Sequence, residues 1–192
     1  MRGSDMKTPT LIAWKSRLPT WDEIVPVFAL VSFLLYAWML YHFVWKTPSW
    51  LYFLSVGDVF VLLGRALFST LLESLSFMAL LLGLCFVLPA KFMRTKFILR
   101  ASALTLSLLA WIVYFESIAS LIVPPAIILI VWSVLVALTV PAIVYLAGRF
   151  PVVERVFVWL DDRLIVFLYL TIPTSLISGA LIFIRSLIGA GE

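Results

Sequence analysis

Five stretches of this chain are long and apolar enough to cross a lipid bilayer, and nothing else in the sequence limits the fold so severely. A helix crossing the hydrocarbon core needs about 20 predominantly apolar residues. Ile24 to Trp45 supplies 22 residues without a formal charge, with Pro26 in the first turn, where proline is tolerated. The other spans run from about Ala66 to Leu88, stopping at Pro89, from Phe97 to about Ile118, and from Ala126, after Pro124-Pro125, to Ala147. The last covers Leu164 to Ile188. Pro141 is expected to kink the fourth, and a four-span reading in which Pro141 divides the bundle differently is the main competitor.

Composition points the same way. The chain is 64% hydrophobic and 12% charged, with a mean hydropathy of +1.16. A soluble domain is about 45–50% apolar and about 25% charged. Polar surface is too scarce here for a water-soluble enzyme, a disordered chain or a disulfide scaffold. Cys85 is the only cysteine, so no internal disulfide exists. The expectation is an all-α polytopic membrane protein, a five-transmembrane-helix bundle forming one integral membrane domain over residues 1–192, of which 1–23 form a cytoplasmic or interfacial N-terminal segment. The opening Met1-Arg2-Gly3-Ser4 resembles an expression leader.

Two further apolar pieces are too short to span. Trp50 to Leu63 is interrupted by Gly57-Asp58 and bounded by Arg65, and reads as an interfacial or re-entrant helix near 50–63. The competing reading joins it to the second span as one long, tilted, broken helix. Pro151 to Leu160 sets Val152, Val153, Val156, Phe157 and Leu160 against Glu154 and Arg155, an amphipathic pattern expected in the interface.

Lysine and arginine in the short connections set the orientation. Arg2, Lys7, Lys15 and Arg17 precede the first span; Lys91, Arg94, Lys96 and Arg100 lie between or beside the second and third; Arg149, Arg155 and Arg163 lie between the fourth and fifth. Only Lys46, Arg65 and Arg185 fall on the other side. This bias predicts a multi-pass protein of a plasma or inner membrane, N-terminus in the cytoplasm and C-terminus outside. The formal charge of +4 then reflects topology and anionic lipid, and no nucleic-acid partner is implied. Trp14, Trp21, Trp45 and Trp50 flank the first span as belt residues.

Catalytic signatures are missing. There is no zinc-protease helix motif, nucleophile elbow or phosphate loop, and His42 is the only histidine. No cofactor or metal is assigned. Asp161-Asp162 is the one adjacent carboxylate pair, and lacks the further carboxylates a metal site needs nearby. It reads as an N-cap of the fifth span.

Polar residues at helical spacing are more informative. Arg65, Ser69, Ser76 and Gly83 recur along the second span, with Glu73 about 80° from Arg65. Thr171, Ser175 and Gly179 form a small-residue ladder in the fifth, on a face shared with Arg185; Ser102, Thr105, Glu116 and Ser120 align in the third. Each stripe is expected to face the bundle interior or a partner. The fourth span, with Ser133 and Thr139 alone among bulky residues, belongs at the lipid-facing periphery.

Depth arithmetic brings the charges together. With spans beginning at Ala66 and ending at Ile188, Glu73 and Arg185 differ in depth by about 6 Å, and Glu116 is close to both. Helices two, three and five should therefore converge on an intramembrane cluster of Glu73, Glu116 and Arg185, with Asp58 reaching water or Arg65 outside it. The function expected is a non-catalytic integral membrane subunit or assembly partner, in contact with lipid and with other membrane chains or further copies of itself. The alternative is a small transporter or channel conducting an ion or small solute through a polar interior as an oligomer.

Overall fold

The computed structural model describes residues 19–87, 96–119 and 126–189, and every regular element in them is a helix. They are α1 (Trp21–Trp50), α2 (Val56–Val87), α3 (Phe97–Ala119), α4 (Ala126–Ala147) and α5 (Pro151–Gly189). All five are long and apolar enough to cross a membrane, which makes the chain a five-helix, multi-pass membrane protein. Met1–Ser4, Pro89, Ser120 and Pro124-Pro125 lie outside the described residues.

Two boundaries differ from the sequence expectation. Residues 56–63 are not a separate interfacial helix but the first turns of α2, which runs unbroken for 32 residues. The cause is local. Ser55 Oγ accepts the Asp58 N–H at 3.2 Å and Asp58 Oδ2 accepts the Ser55 N–H at 3.3 Å, a reciprocal capping box that starts the helix there. Upstream, α1 continues through Pro48 to Trp50, and Leu51 to Ser55 close a five-residue hairpin. Residues 151–160 likewise form no element of their own: α5 is continuous for 39 residues from Pro151, at the first helical position that proline favours. At 1.5 Å per residue α5 is about 58 Å long, nearly twice the hydrocarbon thickness. Asp161-Asp162 therefore lie ten residues inside α5 and not at its N-terminus. The fourth span is uninterrupted from Ala126 to Ala147, with Pro141 inside it.

Helices α1, α2 and α5 pack mutually; α3 leans on α1 and α5, and α4 packs chiefly on α3. At one end Val27 and Val31 of α1, Met78, Leu81 and Cys85 of α2, and Phe97 and Ala101 of α3 form the tightest core. Further along, the buried Tyr36 hydroxyl bonds the Ser175 hydroxyl and donates to the Leu67 carbonyl at 3.2 Å, tying α1, α2 and α5 together. Thr171 and Ser175 are buried, so the small-residue ladder of α5 faces inward as expected. Gly179 allows the closest approach: a Cβ there would stand 2.4 Å from the Phe68 ring of α2. α4 is the peripheral helix, pinned by Trp111 Nε1 donating to Thr139 Oγ1 at 2.9 Å.

Candidate functional site

The structure distributes the five charged residues singled out above over three places. Asp58, Arg65 and Arg185 gather where α2 begins and α5 ends. Asp58 spends its carboxylate on the α2 cap, accepting the Ser55 N–H and the Ser55 hydroxyl, the latter at 2.7 Å, and does not pair with Arg65. Arg65 and Arg185, from two different helices, line one cavity of about 480 Å3 with Phe68, Ser69 and Ser186. The Arg185 charge acts on Asp58, yet neither guanidinium has a carboxylate within 4.0 Å among the described residues.

Glu116 is elsewhere. Its Oε1 lies 3.5 Å from His42 Nε2, so the third helix pairs with the first and not with the second. Both side chains rim a cleft of about 810 Å3 between α1 and α3, with Trp38, Tyr41, Trp45 and Lys46. The His42 ring meets Trp38 edge-on at 4.5 Å and Tyr41 at 5.3 Å, which fixes the imidazole beside Glu116. The cleft exists because α1 and α3 close on small residues at one end, where Ala101, Ser102 and Ala103 are buried, and part towards the other.

Glu73 joins neither group. It is exposed and makes no hydrogen bond or ion pair among the described residues. The inward face of α2 is built from Leu71, Ser74, Met78, Leu81 and Cys85, all buried. Arg65, Ser69, Glu73 and Ser76 point about 160° away from it at 100° per residue, and all four are exposed. Nothing lies within 4 Å of a Cβ built on Gly83, so the stripe is open to its far end. The expected convergence of Glu73, Glu116 and Arg185 is thus not formed. The error came from the helix start. With α2 beginning at Val56, Glu73 is about 25 Å from one end and about 21 Å from the other, at mid-span and far from Arg185 near the end of α5.

Sequence reasoning also passed over His42 as Glu116's partner and over Ser186 beside the arginines. The first had a signal: both residues lie within one turn of the same end of the spans read from the sequence. The second had none, because it depends on how α5 crosses α2. Among the described residues no three His, Cys, Asp or Glu side chains converge as a metal would require.

Fold and sites together define a polytopic helical membrane protein with an outward-facing polar stripe. No protein-family profile, curated protein or solved structure matches this chain.

Proposed function

We propose that the chain is a non-catalytic integral membrane subunit, docked in a larger membrane complex through the outward stripe of α2. It sits in a plasma or inner membrane with its N-terminus cytoplasmic and its C-terminus outside, on the strength of the lysine and arginine bias.

The observation that carries this reading is the exposed, unpaired Glu73. Whether the membrane is centred on the whole of α2 or on residues 66–88, Glu73 lies within about 6 Å of the mid-plane. A charged residue there costs about 2.5–3.5 kcal/mol by insertion measurements, and such residues almost always face a protein interior or a cavity. Along the same face Ser69, Ser76 and Gly83 permit close helix approach and interhelical hydrogen bonds. The occupant is therefore a transmembrane helix of another protein, carrying Lys or Arg at mid-depth opposite Glu73. A second copy does not meet this need. Within α2 the nearest basic residue to Glu73 is Arg65, about 12 Å away along the axis, and two parallel copies would set Glu73 against Glu73.

Purification in mild detergent from the chain's own host tests this. Wild type should hold a second chain in fixed stoichiometry, with a basic residue mid-span, and Glu73→Gln should release it while α1, α2 and α5 stay packed. A chain that purifies alone, or one whose partner is indifferent to Glu73→Gln, overturns the reading. The polar-rimmed cleft at His42 and Glu116 favours the second reading, a small oligomeric transporter; ion flux through the purified chain in liposomes, lost in Glu116→Gln, would support it.

A further inference from the structure

Arg65 and Arg185 come from helices far apart in sequence, yet their side chains border the same small cavity. Both side chains are exposed, and two guanidiniums bordering one cavity repel each other. Basic side chains scattered round a bundle would each swing to water independently. The helices that carry these two cross closely beside them. Just inside the cavity a Cβ on Gly64 would touch Ser178 at 3.5 Å, and the Phe68 ring lies against Gly179. Arg65 follows Gly64 directly, and Arg185 lies under two turns beyond Gly179.

Among the described residues, charge balance at this spot is incomplete. The one carboxylate nearby there, Asp58, accepts two bonds from Ser55 at the start of α2 and offsets at most one of the two guanidinium charges. The remaining polar groups, the Ser69 and Ser186 side chains, end in hydroxyls able to donate. The cavity thus offers two planar, permanently charged forks and two hydroxyls, a donor set that suits a tetrahedral oxyanion with several acceptor oxygens.

The depth is informative as well. With α2 centred on the membrane, the mid-plane falls between Leu71 and Leu72 and Arg65 lies about 10 Å from it, about 5 Å inside the edge of a hydrocarbon core whose half-thickness is about 15 Å. Arg185 is four residues, or about 6 Å, from the end of α5. Side chains of this length reach the level where phospholipid headgroups begin.

We infer that Arg65 and Arg185, with Ser69 and Ser186, form a phosphate-binding site between α2 and α5. Its ligand is a phosphate group at headgroup depth, with one guanidinium on each side. Binding there clamps the two helices at the end of the bundle where the Gly179 contact leaves off. The site shares Arg65 and Ser69 with the exposed stripe of α2, but its test is separate from that of a docked partner, because Arg185 and Ser186 come from α5 and binding is read on the isolated chain.

The test uses the full chain, purified without partners in phosphate-free dodecyl maltoside, with thermal stability as readout. Three additives are compared: inorganic phosphate, dioctanoyl phosphatidic acid, and dioctanoyl glycerol as a neutral lipid with the same acyl chains. Stabilisation by the phosphatidic acid but not by dioctanoyl glycerol identifies a lipid phosphate; equal stabilisation by inorganic phosphate identifies the free anion. Arg65→Gln and Arg185→Gln should each weaken the half-saturating concentration about tenfold or more. The double variant should lose little beyond either single one. Arg65→Lys should retain part of the response, since a charge remains without the fork. Variants that elute as wild type in size exclusion yet respond to phosphate like wild type overturn the site. So does wild-type indifference to both phosphate compounds.

Discussion

Gly179 is the residue on which the α2–α5 crossing depends. Its missing Cβ is the space the Phe68 ring occupies, so Gly179→Ala must displace an aromatic ring held between two helices. Overpacking of this kind costs about 1–3 kcal/mol. Unfolding in mixed micelles should register that loss for Gly179→Ala, and combining it with Phe68→Ala should recover part of it; additive losses would mean the two do not share the space. Tyr36 works by a different route. Tyr36→Phe removes the bonds to Ser175 and to the Leu67 carbonyl and leaves the buried Ser175 hydroxyl without that partner. Interhelical hydrogen bonds in membranes average about 0.6 kcal/mol with a maximum of about 1.7, and the same unfolding measurement should place the variant in that interval.

Helix α4 is the element least tied to the rest. It packs chiefly on α3, where the Trp111–Thr139 hydrogen bond and the ring of Trp132 against Phe115, at 4.8 Å, secure it. Trp111→Phe should accelerate amide exchange across residues 126–147 in micelles and leave α1, α2 and α5 unchanged; uniform acceleration would make α4 part of the common core. The peripheral place of this helix was legible from its two isolated hydroxyls, and the inward ladder of α5 from Thr171, Ser175 and Gly179. The start of α2 was legible too, in Ser55 and Asp58 three residues apart, but Gly57-Asp58 read more readily as an interruption. That single misplacement moved Glu73 ten residues nearer the helix end and produced a charge cluster the fold does not contain. The direction of the α2 stripe was illegible for another reason. Helical spacing puts Arg65, Ser69, Glu73 and Ser76 on one face, but only the burial of Leu71, Met78 and Leu81 inside the bundle decides that this face looks out.

The proposed orientation has five crossings and so requires the two termini on opposite sides of the membrane, the N-terminus in the cytoplasm. In a Cys85→Ala background, cysteines at Ser4 and Lys96 should react with an impermeant maleimide from the cytoplasmic side alone, and one at Gly191 from the outside alone. Labelling of Gly191 from the cytoplasm would contradict five spans. At the opposite end of the bundle from the Val27–Leu81–Phe97 core, the His42–Glu116 cleft and the paired arginines open on the same side, since α1, α3 and α5 end where α2 begins. The polar stripe of α2 runs between that end and the core, and on it Glu73 stands near mid-helix without a partner among the described residues. A photoreactive amino acid placed singly along α2 in intact host membranes reads out what covers this face. Positions 69, 72, 76, 80 and 83 should crosslink to one other protein with helical periodicity, positions 71, 74, 78 and 81 should not, and Glu73→Gln should erase the pattern. Crosslinks from the stripe to lipid alone, in a chain that is otherwise fully assembled, would contradict a docked partner.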